Sequence, residues 1–273
     1  MPRRPALDPP PPESPGRTDR SDLVSMQGRP TLLVFSRGIA AESSRRQLLP
    51  GSLRHVEDGT HRAFLDAALL AGEVAGCALA VCSPRPLDLG PAVAHIPQCG
   101  ADFGTRVEAA TSRAFARRPS VLLIAASDVP GLRAEHLARA IELLRADPER
   151  VVLGPSPDGG LYLIAATRPI PDLGTATRWC RRDTLVRLER TLAGLGRPVV
   201  RLEPLRDLDA RADLESWLAD GAAIELPLRP LARFLRAALA SLHPEAPAVL
   251  GFVRSSFHPA HSGRAPPSHP ASR

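Results

Sequence analysis

The stretch that decides the fold is VLLIAASDVPGLRAEHLARAIELL, residues 121–144. It opens with an unbroken apolar run, breaks at Ser127-Asp128-Val129-Pro130-Gly131, and resumes with Leu137, Ile141 and Leu144 on one face of a helical repeat. A short apolar run closed by Pro and Gly reads as a strand buried on both faces. The carboxylate at its end has two readings. Asp128 either caps the following helix, a common use of Asp, or stands as a ligand at the strand's C-terminal end. Pro130 and Gly131 separate it from the helix body, and the local sequence leaves both readings open.

The same alternation extends in both directions. Strands are expected at 31–35 (TLLVF), 77–83 (CALAVCS), 120–127, 150–154 (RVVLG), 160–166 (GLYLIAA) and 198–203 (PVVRLE). Helices are expected at 61–72, 103–118, 133–147, 182–196 and 210–220. Apolar strands alternating with helices of this length make an α/β protein with a mostly parallel sheet covered on both faces. Ligands of such sheets bind outside the C-terminal strand ends. Those ends are the loops after Phe35 and Ser127, around Pro157–Gly160, and around Asp207–Asp209.

Four regions are expected: a disordered Pro/Arg-rich tail at 1–29, a folded domain at 30–221, an amphipathic helix segment at 222–244, and a disordered His/Pro/Ser tail at 245–273. Leu228, Leu231, Leu235 and Leu239 form an apolar stripe on the amphipathic segment, so packing on the domain is the reading for it.

All 35 basic residues are Arg, which excludes any lysine-dependent mechanism. The net charge of +6 lies mostly at the C-terminal end: residues 222–273 hold six Arg against two Glu, whereas 31–221 hold 24 Arg against 23 acids. A nearly neutral folded region does not read as a nucleic-acid-binding surface. Cys77, Cys82, Cys99 and Cys180 lack metal-site spacing and read as isolated buried thiols in a reducing cytoplasm. The N-terminal segment lacks the apolar stretch of a signal peptide, and no apolar run is long enough for a membrane span.

Two further stretches can carry chemistry. In GPSPDGGLYLIAA (154–166), Asp158-Gly159-Gly160 reads as a hairpin turn, a ligand-approach loop, or both. In LRDLDARADL (205–214), Asp209 reads as a helix cap or, with Asp207 and Asp128, as part of an oxygen site suited to Mg²⁺ or Mn²⁺. His55, His61 and His136 follow no pattern and read as surface or helix residues. Trp179 reads as packing a helix start against the sheet.

LLIAASDVPGL, VVLGPSPDGGLYLIA, RWCRRDTLVRLERTL and LRDLDARADL, in this order and spacing, resemble the glycosyltransferase-A-like proteins of the nucleotide-diphospho-sugar transferase superfamily. The branch they resemble is the arsenosugar-biosynthesis-type, or radical-SAM/selenodomain-associated, glycosyltransferase group. PQCGADFGTRVEAATSRAF (97–115) is similar to that group's Gln-x-Gly-x-Asp-Leu-Gly-x-Arg segment, with Phe103 at the Leu. The resemblance spans residues 30 to 220. It implies a Rossmann-like three-layer α/β/α sandwich that binds a nucleotide or nucleotide-sugar over the strand ends. It also implies metal binding by Asp128 and Asp209, with Asp207 beside them. Arg37, Gly38, Arg45, Gln98, Gly104 and Arg106 fall near the nucleotide on this resemblance, and Asp158, Gly159 and Gly160 near a small-molecule acceptor. No catalytic residue is identified.

The loop SRGIAAESSRRQLLP (36–50) departs from the group's Arg-x-Pro-x-x-Gly-x-x-Lys-Thr-Arg-Leu pattern. Arg37, Leu48 and Pro50 match, but Ile39, Glu42, Arg45, Arg46 and Gln47 replace Pro, Gly, Lys, Thr and Arg. A Glu beside donor phosphates is repulsive, while Arg45 can still pair with one. Three functions follow as expectations. The first is a metal-dependent glycosyltransferase using a nucleotide-sugar donor, and the second a nucleotidyltransferase acting on a phosphorylated small molecule. The third is a catalytically degenerate homologue acting as a scaffold.

Overall fold

The computed structural model describes residues 26–175, 177–221 and 224–242. The expectations for 1–25 and 243–273 lie outside the described residues. The strands are β1 (Pro30–Phe35), β2 (Ala78–Ser83), β3 (Val93–Pro97), β4 (Val121–Ala126), β5 (Val151–Pro155), β6 (Leu161–Ala166) and β7 (Val199–Arg201). The α-helices are α1 (Ile39–Arg46), α2 (Glu57–Val74), α3 (Phe103–Phe115), α4 (Ala134–Ala146), α5 (Thr184–Gly194), α6 (Arg211–Ala219) and α7 (Arg229–Ser241).

One sheet runs in the order β3-β2-β1-β4-β6-β5-β7. Every neighbouring pair is parallel except those of β6, which is antiparallel to both β4 and β5. Period-two alternation divides the core between the two faces. Leu32 and Val34 pack with Leu65 of α2 and Leu137 of α4. Leu33 packs on the opposite face with Ala110 of α3, and Leu153 packs there with Leu188 of α5. These are the three layers of an α/β/α sandwich.

α2 has apolar residues on two sides. Leu65, Ala68 and Leu69 face the sheet, while Phe64 packs edge-on against Trp217 at 5.6 Å between ring centroids. Leu228, Ala232 and Leu235 join that second cluster, so α7 is packed against the domain as its leucine stripe predicts. Packing also begins before the boundary expected at residue 30: Met26 is fully buried under the sheet, and Gly28 N–H donates to the Arg118 carbonyl.

Two elements differ from the sequence reading. β3 is an edge strand with Val93 and His95 only half buried, so it lacks the apolar run that marks its neighbours. Residues 39–46, read as a loop, form a helix whose only buried residues are Glu42 and Ser43. Two of the four cysteines, Cys99 and Cys180, are exposed, which corrects the reading of all four as buried.

Candidate active site

The strand order changes direction at β1, whose neighbours are β2 on one side and β4 on the other. Crevices open above the C-terminal ends of strands at such a point. Here they are the ends of β1 and β4, with Phe35 beside Ala126 in register. Because β6 runs antiparallel, its beginning lies at this same edge, and the β5–β6 turn carries Asp158 there. The chain leaving β7 then crosses the edge. Leu202 N–H donates to Leu153 O, Leu205 N–H to Pro155 O and Leu208 N–H to Asp128 O. That path brings Asp207 and Asp209 to the end of β4.

A cavity of about 290 Å³ lies among these segments. Phe35, Phe103, Trp179 and Leu161 form an apolar wall, and Arg37, Arg45, Arg46, Arg181 and Arg182 line it together with Glu42, Asp128, Asp158, Asp207 and Asp209. Phe103 stacks in tilted fashion on Trp179 at 5.5 Å, and Trp179 Nε1–H donates to Leu173 O, so the indole packs as expected while also facing the cavity. Among the described residues no histidine lines the cavity: His61 and His136 are buried within helices.

Asp128 is not a helix cap. The residue flanking α4 is Arg133, whose N–H donates to His136 Nδ1. Asp128 is 6% exposed; Oδ2 pairs with an Arg46 Nη, and Oδ1 is buried with no hydrogen-bond partner among the described residues. Asp209 does not cap α6 either. Asp213 takes that role, accepting from the N–H groups of Asp209 and Ala210 at 3.2 and 2.9 Å. Asp209 Oδ1 instead accepts from Arg46 Nη1 at 2.6 Å. Asp128 and Asp209 therefore converge, but on one guanidinium. Glu42, expected to repel phosphate, is buried and compensated: it accepts Arg37 N–H at 2.9 Å and Arg46 Nε–H at 3.1 Å.

Burial first, and charge crowding second, shift the carboxyl groups. Burial pushes Asp128 above the ordinary carboxylate range, Glu42 and Asp209 push the same way, and Arg46 opposes them. Burial, then Asp158, Asp128 and Asp209, raise Asp207 to about 7. Burial alone would lower the Arg46 pKa, but Asp128, Asp209 and Glu42 together raise it.

Asp158, Asp207 and Asp209 each offer an oxygen within 4.8 Å of the others, a spacing that fits a hard divalent cation. The Asp158–Gly160 turn is both hairpin and cavity rim. Asp158 Oδ1 accepts Gly160 N–H at 2.8 Å, and Ser156 N–H donates to Gly160 O at 3.1 Å. Gly159 sits at φ 91°, where a Cβ would run into the Arg182 carbonyl.

The other expected nucleotide residues divide. Arg37 and Arg45 line the cavity. Gln98 lies behind it, its Nε2 donating to Ser36 O at 2.7 Å and Cys82 O at 3.2 Å and so tying β1 to β2. Gly38 opens α1 at φ 90°. Gly104 is required by packing, since a Cβ would strike the Gly174 carbonyl and Trp179. Arg106 donates Nε–H to Gly100 O at 3.0 Å and does not line the cavity. Arg46, Arg181, Arg182 and Phe103 are cavity residues that the motifs do not assign. Of these, only the Arg181-Arg182 pair before α5 carries a local signal, two adjacent cations next to a helix start.

A crystal structure provisionally described as a nucleotide-diphospho-sugar transferase, from Desulfovibrio desulfuricans G20, superposes with a TM-score of 0.69 at 22% identity, over 78% of this chain and 96% of that one. The chain thus has the nucleotide-diphospho-sugar transferase fold that its motifs resemble. More particularly, residues 66–181 match the family described as "Uncharacterized protein conserved in bacteria (DUF2064)". That match contains Asp128 and Asp158–Gly160 but not the 36–50 segment or Asp207–Asp209. Rv0371c from Mycobacterium tuberculosis H37Rv (18% identity, 70% of this chain, 97% of that one, TM-score 0.45) and its homologue from Mycobacterium sp. strain JC1 (18%, 71%, 98%, TM-score 0.47) superpose too loosely to argue from. No curated protein matches the sequence significantly.

Proposed function

We propose that this protein is a transferase that takes a nucleotide-sugar donor and passes the glycosyl group to a small acceptor. The observation that carries this reading is a set of cations without internal partners. Among the described residues, Arg37, Arg45, Arg181 and Arg182 line the cavity, and none makes a side-chain hydrogen bond or ion pair with protein. Arg145, Arg190 and Arg233, away from the cavity, are likewise unpaired among the described residues, so what marks the four is that they converge on one cavity. Unspent guanidinium groups around a cavity with an aromatic wall suit a ligand with a flat base and a diphosphate. Arg37 and Arg45 approach from the α1 side and Arg181 and Arg182 from the segment before α5, so the donor's phosphates would be held from two sides. The wall of Phe103 and Trp179 would take the base and exclude water from it.

The Asp158–Asp207–Asp209 group would hold Mg²⁺ or Mn²⁺, which when bound would neutralise the leaving diphosphate. Asp158 and Gly160, at the rim, would face the acceptor. A nucleotidyltransferase reading draws on the same arginines, since the Arg181–Arg182 pair could hold a phosphate on the acceptor as well as on the donor.

Calorimetric titration with UDP-, GDP- and dTDP-sugars and with free nucleoside triphosphates, with and without Mn²⁺, tests these readings. A nucleotide-sugar is expected to bind, and the double variant R181A/R182A to bind it about tenfold or more weakly, with unchanged thermal stability because both side chains are exposed and unpaired. Binding of triphosphates but no nucleotide-sugar favours nucleotidyl transfer. If no nucleotide binds, the donor reading fails and the scaffold reading stands.

A further inference from the structure

Arg46 differs from the other four cavity arginines, because its guanidinium is used up inside the protein. Nε donates to Glu42 Oε2 at 3.1 Å, and Nη1 to Leu208 O at 2.8 Å and Asp209 Oδ1 at 2.6 Å. Nη2 pairs with Asp128. Its side chain is only 10% exposed. The partners come from three segments: α1, the end of β4, and the loop after β7. The Leu208 N–H bond to Asp128 O holds the last two at a fixed spacing.

We propose that Arg46 is a tethered counter-cation: it occupies the place an ion shared by Asp128 and Asp209 would need, so Asp128 does not ligate a divalent ion while Arg46 is seated. The motifs had placed that ion between these two carboxylates. Oxygen ligands lie about 2.0–2.6 Å from Mg²⁺ or Ca²⁺-sized ions, and an oxygen committed to a guanidinium hydrogen bond is not free for that contact. Arg46 cannot yield by losing its proton, since a guanidinium stays charged at any pH a protein survives. An ion would have to expel the side chain, and expulsion would strip the buried Glu42 of its cation. The position is therefore protected by covalent tethering and by the cost of leaving Glu42 unpaired. Among the described residues Asp158 and Asp207 have no such partner, and the half-exposed Asp209 gives Arg46 only Oδ1, so Oδ2 and the Asp158–Asp207 side of the cavity are left for an ion. The unpartnered Asp128 Oδ1 is the one atom through which Asp128 could still reach an ion, and the test addresses it directly.

The inference rests on the geometry of Arg46 and is measured without nucleotide, so its failure and that of the donor reading are separable. Mn²⁺ is titrated into the full chain and free ion is followed by electron paramagnetic resonance. D128N is expected to leave Mn²⁺ affinity within about twofold of wild type, since no ligand is lost. R46T, which removes the cation, is expected to raise affinity about tenfold or more, and R46T/D128N to return it to the wild-type level. A tenfold loss in D128N alone would overturn the proposal, as would an R46T variant that is folded by circular dichroism and binds Mn²⁺ no better than wild type. If R46T does not fold, D128N decides alone.

Discussion

Replacing Gly159 by Ala should destabilise the protein by about 3–6 kcal/mol, the sum of three parts that the structure separates. A left-handed backbone at φ 91° costs a residue with a Cβ about 1–2 kcal/mol. The added methyl would overlap the Arg182 carbonyl, so the β5–β6 turn must move away from the segment before α5, a strain of about 1–3 kcal/mol. That movement breaks the 3.1 Å bond from Leu185 N–H to Gly159 O, worth about 1 kcal/mol. At about 2–4 °C per kcal/mol for a domain of this size, the melting temperature should fall by on the order of 10 °C. Gly59 supplies the control. It lies inside α2 with open space around a Cβ, so Gly59→Ala should raise stability by about 0.5–1 kcal/mol. Differential scanning calorimetry on both variants gives opposite signs if the reasoning holds. A Gly159→Ala protein melting within about 1 °C of wild type would show that the turn is not clamped to the Arg182 segment.

Asp207, raised to about 7, binds a proton in the folded state over a window where the unfolded group, near 3.9, has lost it. Its contribution to stability is therefore lost as pH rises from about 4 to 7. Asp207→Asn should melt higher than wild type at pH about 8 and equal to it near pH about 4; a difference that does not change with pH would refute a carboxyl raised by burial and by the crowding of Asp158, Asp128 and Asp209. Glu57 is 2% exposed and accepts the N–H groups of Leu48 and Leu49 at 2.7 and 2.9 Å. Glu57→Ala strands both donors, at about 1–3 kcal/mol each, and should lower the urea midpoint with an unchanged slope. A loss below about 1 kcal/mol would show that water replaces the carboxylate.

The local sequence determined the sandwich and the edge of the sheet where the site lies. Leu32, Leu33 and Val34 in β1 and Val121 to Ala125 in β4 are apolar at every position, and only a strand covered on both faces uses such a run. Asp128 follows β4, Asp158 lies between β5 and β6, and Asp207 and Asp209 follow β7, so their arrival at one edge was legible once the strands were placed. β3 was not legible, because an edge strand with a half-buried face needs no apolar run. Nor was α1: Ser43-Ser44-Arg45-Arg46 has no apolar period, and the helix is fixed by Glu42's bonds to Arg37 and Arg46 and by Arg46's bonds to the distant Leu208, Asp209 and Asp128.

Tertiary structure alone decided what Asp128 faces. Read along the chain, Asp128 was a cap or a metal ligand, and Arg46 a substitution in a phosphate loop. Their pairing joins residues 82 positions apart, and the bond from Arg46 to Asp209 joins residues 163 apart. Chain pattern records which side chains share a face over a few residues. It cannot record which charge meets which across a crevice, because that follows from the strand order and from the path of the chain after β7.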